Sequence, residues 1–136
     1  MNVILETGAY MPTRAYEHDA GYDLRSPYDI TVWNGESVTI DTGVHVEIPA
    51  GYVGFLKSKS GLNVRHGISG EGVIDSGYTG SIVCKLYNNG EYPYRITKGD
   101  KIIQLVILPV FTPELVMVDK FETTKRGNNG FGSTGK

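Results

Sequence analysis

This chain has little cysteine, no long apolar run and almost no net charge, and each shortage excludes a class of protein. One cysteine, Cys84, allows no intrachain disulfide. No apolar run approaches the roughly 18 residues of a membrane helix, and no secretory signal pattern is present. We therefore expect a cytoplasmic protein with no membrane partner. The net charge of −2 gives no basic field for binding long nucleic acid.

Metal-binding and reactive side chains are also scarce. The three histidines are scattered along the chain: His18, His45 and His66. Without paired cysteines beside them, a zinc site is not expected. Cys84 lies in an alternating run where it shares a face with Ile82 and Leu86. This pattern favours a buried, inert thiol over a reactive one.

Short stretches of β-branched and aromatic residues, separated by turn residues, fill most of the chain. We predict strands at residues 3–5, 30–33, 37–40, 44–48, 52–56, 81–87, 101–108 and 115–118. One short helix is predicted after Ser60, with this serine as its cap. The pattern predicts an all-β fold, a jelly-roll-like barrel or sandwich over residues 1–125, followed by a flexible tail at 126–136.

The tail reads RGNNGFGSTGK and has no periodic apolar face. Its glycines let backbone N–H groups turn toward an anion. Its side chains add a guanidinium, hydroxyl donors and an aromatic face: Arg126, Ser133, Thr134 and Phe131. Two interpretations remain open, a flexible terminus of no consequence and a flap that closes over a nucleotide.

Three internal segments combine glycine with charged or polar side chains: 20–26, 59–61 and 72–80. Taken singly, Asp23 and Asp75 read as turn-capping carboxylates. Tyr78 reads as an aromatic ring packed on a sheet, and Lys59 as a solvated cation. None of the three segments alone indicates a function.

In order and spacing, however, the segments resemble the signatures of the homotrimeric dUTP pyrophosphatase (dUTPase) family. Those signatures are AGxDL, RSG, GxID..Y.G, GD.I.QL and RG..GFGSTG, and they correspond to residues 20–26, 59–62, 72–80, 99–105 and 126–135. The resemblance implies Mg²⁺-dependent hydrolysis of dUTP to dUMP and pyrophosphate. This reaction keeps uracil out of DNA and supplies dUMP for thymidylate synthesis.

The resemblance also implies roles for individual residues. Asp75 would activate the water that attacks the α-phosphorus, and Tyr78 would lie under the deoxyribose and exclude a 2′-hydroxyl. The extended segment from Gly70 to Val73 matches the family's β-hairpin, whose main-chain groups would read the uracil edge, and Gly72, Val73 and Ile74 would bind the substrate. In the tail, Phe131 would cover the base. The γ-phosphate would be held by further tail residues, Arg126, Gly132, Ser133 and Thr134.

For the triphosphate, the resemblance implies that Asp23 holds Mg²⁺ through water. Lys59, Ser60 and the amide of Gly61 would bind phosphate oxygens, and Gln104 would lie near the phosphates and the attacking water. The family's sites are composite. Signatures one, two and four would come from one subunit of a homotrimer, the third from a second subunit and the tail from a third.

Two positions depart from the family pattern. Lys59 stands where the family has arginine and loses the planar two-point grip. Glu71 adds a carboxylate to the uracil-reading hairpin, and it is also the only feature that favours a related deoxycytidine triphosphate deaminase. A regulatory protein that uses dUTP as a signal could retain all five signatures, so the sequence leaves that alternative open.

Overall fold

The computed structural model describes residues 1–130 and shows a β fold with one short helix. In this range the strands are β1 (Val3–Leu5), β2 (Gly21–Arg25), β3 (Ile30–Val32), β4 (Ser37–Asp41), β5 (Val44–Val46), β6 (Tyr52–Lys57), β7 (Ile68–Ser69), β8 (Glu71–Ile74), β9 (Val83–Asn88), β10 (Tyr94–Ile96) and β11 (Lys101–Pro109). The helix α1 spans Ser60–His66.

The strands pair antiparallel in four groups. The largest sheet has the order β2-β11-β6-β8, and a second has the order β4-β9-β7. Two pairs complete the fold, β1 with β5 and β10 with β3. The predicted all-β jelly roll is confirmed. No helix within residues 1–130 is long and apolar enough to cross a membrane.

The core lies between these sheets and follows the alternation in the sequence. On β9 the residues alternate between exposed and buried positions, and Cys84 and Leu86 are each 1% exposed. Ile82, just before the strand, is fully buried beside them. Burial raises the pKa of the Cys84 thiol to about 12. The prediction of a buried, inert cysteine is therefore confirmed.

The helix α1 has the predicted position but not the predicted cap. Lys59 is the N-cap residue and makes no side-chain capping bond, while Ser60 is the first helical residue. At the other end Gly67 adopts a left-handed φ of 69°, and its N–H bonds back to the carbonyls of Asn63 and Leu62. A Cβ on Gly67 would also lie 2.8 Å from the Cα of Gly90. Glycine is therefore required here by both φ and space.

The strand predicted at 115–118 is wrong, and a strand that was not predicted is present at 21–25. Residues 115–118 form no strand in the structure, because this apolar stretch has no neighbouring strand to pair with in the described chain. Residues 21–25, where no strand was predicted, form the whole of β2. Local propensity does not favour a strand here, because the segment contains glycine and charged residues. Pairing with β11 supplies the backbone hydrogen bonds of the strand nevertheless.

Candidate functional site

Four polar side chains lie in one row across the largest sheet. Gln104 on β11 is the register partner of Asp23 on β2 and, on its other side, of Lys57 on β6. Lys57 is in turn the partner of Glu71 on β8. Lys59 and Ser60 lie two and three residues after Lys57, the last residue of β6. The first, second and fourth signature segments therefore meet around this row.

Asp23 is the buried carboxylate of this row. Its side chain is 8% exposed, and both of its oxygens are paired with lysines. Oδ1 accepts from Lys59, and Oδ2 lies 2.7 Å from the Nζ of Lys101. Burial acts to raise the pKa of Asp23, but the hydrogen bonds and charges of Lys101 and Lys59 outweigh it and lower that pKa. Asp23 is thus held ionised beside two cations.

Gln104 is fixed between β2 and the end of β6. Its Nε2 donates to the Ser58 carbonyl over 3.1 Å. Its side chain lies against the bare Cα of Gly21, where a Cβ would come within 3.0 Å of the Gln104 Cβ and Cδ. Glycine at position 21 therefore gives the glutamine the space it occupies.

Ser60 and Gly61 form the exposed first turn of α1, next to this cluster. The first backbone N–H groups of a helix have no partners within the helix. A Cβ at Gly61 would meet nothing within 4 Å. The backbone at Gly61 is thus open to approach by a ligand.

The segment Gly72, Val73 and Ile74 belongs to β8, which is the edge strand of its sheet. On one side β8 pairs with β6, with Gly72 opposite Leu56 and Ile74 opposite Gly54. The side chain of Ile74 is buried, while that of Val73 is exposed. An edge strand presents main-chain donors and acceptors on its outer side, as base recognition by backbone requires.

Asp75 and Tyr78 are the first and last residues of a tight turn that follows β8. The Tyr78 N–H donates to the Asp75 carbonyl over 3.2 Å, and Gly77 supplies the positive φ of 84°. The Asp75 side chain is exposed and has no hydrogen-bond partner within residues 1–130. A turn-capping role for this carboxylate is therefore unsupported by the geometry.

The ring of Tyr78 lies on the backbone of Gly80. A Cβ at Gly80 would come 2.6 Å from the Tyr78 Cζ, and the phenol donates to the Ser81 carbonyl over 2.9 Å. These contacts hold the ring in place while 46% of the residue stays exposed. The ring can therefore serve as a fixed wall for a ligand.

Within one chain, this turn lies far from the Asp23 row. Asp75 is four residues along from Glu71, and β8 is three strands away from β2. At about 3.3 Å per residue and about 4.8 Å per strand, Asp75 and Asp23 are on the order of 20 Å apart. A single chain therefore does not bring the two carboxylates to one phosphate.

Arg126 is exposed in a local turn, where its Nε donates to the Asn129 carbonyl over 3.1 Å. The other predicted tail residues lie outside the described residues: Phe131, Gly132, Ser133 and Thr134. Between Met1 and Gly130, no three His, Cys, Asp or Glu side chains are grouped to hold a metal ion. Asp23 therefore belongs to no such group of side chains.

Glu71 turns toward Lys57, whose Nζ lies 2.9 Å from Oε1. The Lys57 hydrogen bond and charge lower the pKa of Glu71. The pairing with Lys57 across the sheet gives this carboxylate a structural role, so Glu71 does not by itself indicate a deaminase.

Sequence reasoning did not select Lys101, Gly21 or Gly80. Lys101 pairs with Asp23, Gly21 makes room for Gln104, and Gly80 supports the Tyr78 ring. All three lie inside or beside the signature segments, so a search for small or charged neighbours of each motif residue could have found them.

Comparison with known sequences identifies the family. The profile of the dUTPase family matches residues 7–135 of this chain. The chain belongs to the dUTPase family. The rat deoxyuridine 5′-triphosphate nucleotidohydrolase is 41% identical over 135 residues, which cover 98% of this chain. The chain spans 66% of the rat protein's length, slightly less than two thirds.

Solved dUTPase structures match the fold closely. The dUTPase of Staphylococcus bacteriophage 80alpha with dUpNHpp has a TM-score of 0.93 at 36% identity, covering 99% of this chain and 98% of that one. A mutant dUTPase from phage phi11 of S. aureus has a TM-score of 0.82 at 35% identity, covering 90% and 98%. The latter structure concerns the coordination of a structural Mg(II) ion. The predicted family and its fold are thus confirmed.

Proposed function

We propose that this chain hydrolyses dUTP to dUMP and pyrophosphate, with Asp75 activating the attacking water. The observation that carries the proposal is the exposed Asp75–Tyr78 turn in a chain of the dUTPase family. The Asp75 carboxylate is exposed and unpaired in the described chain, and three residues along the same turn the Tyr78 phenol is held by the Ser81 carbonyl. It can take a proton from a water while Tyr78 limits the space below the sugar. The dUTPase of phage 80alpha, with its bound dUTP analogue, supports this substrate.

At the other end of the sheet, Lys59, Ser60 and Gly61 bind phosphate oxygens, and Gln104 orients the phosphates and the water. Lys59 and Lys101 surround Asp23 and supply positive charge near the triphosphate. The exposed first turn of α1 adds backbone N–H donors. On the base side, the outer edge of β8 at Gly72, Val73 and Ile74 reads uracil through main-chain groups.

Mg²⁺ is the proposed cofactor, and the donor chemistry of the site fits it. Mg²⁺ at phosphate sites keeps several waters and takes only one or two carboxylates, so Asp23, whose two oxygens are paired with lysines in this chain, would hold the ion through water. The ion would neutralise negative charge on the phosphates. The phage phi11 enzyme, with its structural Mg(II), is a relative that supports this choice.

A homotrimer with composite sites is the proposed assembly. The separation of Asp75 from Asp23 within one chain favours a site that takes the two residues from different subunits. The segment after β11 exposes several large apolar side chains with no strand to cover them, among them Phe111, Leu115 and Met117. Such a segment suits contact with a second copy of the chain. Residues 126–136 are proposed as a closing tail from a third subunit, separate from the domain at 1–125, and the location is proposed as cytoplasmic.

The test is pyrophosphate release from dUTP, dCTP, dTTP and UTP, each with Mg²⁺ and with EDTA. We expect hydrolysis of dUTP that depends on Mg²⁺ and almost none of the other three. Comparable rates on UTP would contradict the role of Tyr78. Release of ammonia from dCTP would instead identify a deaminase, and tight dUTP binding without turnover would identify a regulator.

A further inference from the structure

Few hydrogen bonds join the turn that carries Asp75 and Tyr78 to the rest of the protein. Within the described part of the chain, one hydrogen bond links residues 75–80 to a distant segment. It joins the Nδ1 of His45, on β5, to the Thr79 carbonyl over 2.8 Å. The bonds made by Tyr78 are local, to Asp75 and Ser81. Among the described residues, His45 is therefore the side chain that tethers residues 75–80 to a distant strand.

The second ring nitrogen of His45 faces a carboxylate. Its Nε2 lies 3.1 Å from the Oε1 of Glu6, which follows β1. A backbone carbonyl and an ionised carboxylate both accept hydrogen bonds and have no proton to give. Only the doubly protonated imidazolium can donate to both at once. A neutral ring has only one N–H, so either the Thr79 carbonyl or the Glu6 carboxylate would then face the lone pair of a ring nitrogen.

We propose that His45, held by Glu6, is a positioning residue for the Asp75–Tyr78 turn, and that its protonation controls how firmly this turn is held. The inference rests on the proposed role of Asp75. His45 does not touch the reacting atoms. It acts through the Thr79 carbonyl, which lies one residue after Tyr78.

The charges around His45 favour its protonated form. The hydrogen bond to the Thr79 carbonyl raises the pKa of His45 most, and the hydrogen bond and charge of Glu6 and the charge of Asp41 raise it further. Asp41 also accepts from the Ser81 hydroxyl, so it braces the end of the same loop. Glu47, two residues along β5, accepts instead from Asn2 over 2.6 Å.

Because the pKa of His45 is raised, the pH at which the turn is held most firmly can be deduced. A group whose pKa is raised on folding stabilises the folded arrangement fully below its ordinary pKa, about 6.5 for histidine. That stabilisation is lost as the pH rises through the raised value. The turn should therefore be held most firmly on the acid side of this range and loosen above it.

The first test needs no activity. NMR titration of the free protein follows the His45 ring and the Gly80 amide, which belongs to the same peptide group as the Thr79 carbonyl. We expect both to titrate with one midpoint, and Glu6→Gln to lower that midpoint. His18→Gln, at an exposed histidine, should leave it unchanged. A Gly80 amide that does not follow His45, or a midpoint unaffected by Glu6→Gln, would overturn the proposal.

The second test compares rates. We expect His45→Gln to lower kcat for dUTP by roughly 10-fold at pH 6 with a smaller change in KM, because the turn loses its tether. The ratio of wild-type to H45Q rates should fall toward one as the pH rises through the NMR midpoint. A ratio independent of pH would refute the switch. If the wild-type protein fails to hydrolyse dUTP at all, the proposed function is wrong, and the NMR titration alone decides whether His45 holds the turn.

Discussion

Replacing Gly21 with alanine tests whether dUTP hydrolysis depends on the position of Gln104. The new Cβ would lie 3.0 Å from the Gln104 Cβ and Cδ, and closer still to Oε1. Ordinary carbon contacts begin near about 3.5 Å, so the side chain must move by roughly 0.5–1 Å. This movement breaks the 3.1 Å bond to the Ser58 carbonyl. A displacement of this size in a catalytic group lowers turnover by up to roughly 10²-fold.

The same substitution should cost about 1–2 kcal/mol of stability, because the end of the Gln104 side chain can rotate away while its Cβ, fixed to β11, requires a small backbone shift. Gly35→Ala is the matched control. Gly35 has a φ of 76° with nothing within 4 Å of the new Cβ, so alanine there costs a similar strain far from Gln104. Urea unfolding and steady-state pyrophosphate release are measured for both. Equal activity of the two variants would refute the role assigned to Gln104.

Three further predictions concern the charged residues. Asp75→Asn should lower kcat for dUTP by roughly 10²–10⁴-fold, the range for a positioned acid-base group, with nucleotide binding retained. Near-normal turnover would show that another group activates the water. Lys59→Arg should give an equal or lower KM, because arginine can pair with Asp23 and also grip a phosphate at two points. A large loss would mean that the site is built around lysine. Because the pKa of Asp23 is lowered, its pairing stabilises the fold above about pH 4 and this is lost as the pH falls further. Urea unfolding between pH 2.5 and 6 should therefore show a shallower pH dependence for Lys101→Met, and an unchanged one would contradict the assignment.

Alternation in the sequence predicted most of the fold, because a strand with one buried face carries its own pattern. The exposed and buried residues of β9 follow that pattern, and Cys84 lies on the buried side. Prediction failed where pairing with a neighbouring strand, rather than local propensity, decides whether a strand forms. Gly21–Arg25 has poor strand propensity yet pairs along β11, whereas residues 115–118 have good propensity and no partner within the described chain.

The sequence predicted which residues belong to the candidate site but not the distances and contacts between them. Motif order pointed to Asp23, Asp75 and Gln104. The distance of Asp75 from Asp23 depends on the strand order β2-β11-β6-β8, which no motif records. The pairing of Asp23 with Lys101 also depends on register, since the two residues are far apart in the sequence. The cap of α1 was misassigned because serine commonly caps helices. In the structure Lys59 is the extended residue before the helix, and Ser60 is already helical.

The most direct test of the composite site is complementation between two inactive variants. Asp75→Asn and Asp23→Asn are each purified alone. In a parallel preparation they are co-expressed with different tags so that mixed oligomers can be isolated. If each site takes Asp23 and Asp75 from different chains, every mixed trimer has both native residues in about one third of its sites, whichever variant it contains twice. We therefore expect the isolated mixed oligomers to recover about one third of wild-type dUTP hydrolysis while each variant alone stays inactive. If isolated mixed oligomers show no more activity than the separate variants, both carboxylates act within one chain and the composite site is contradicted.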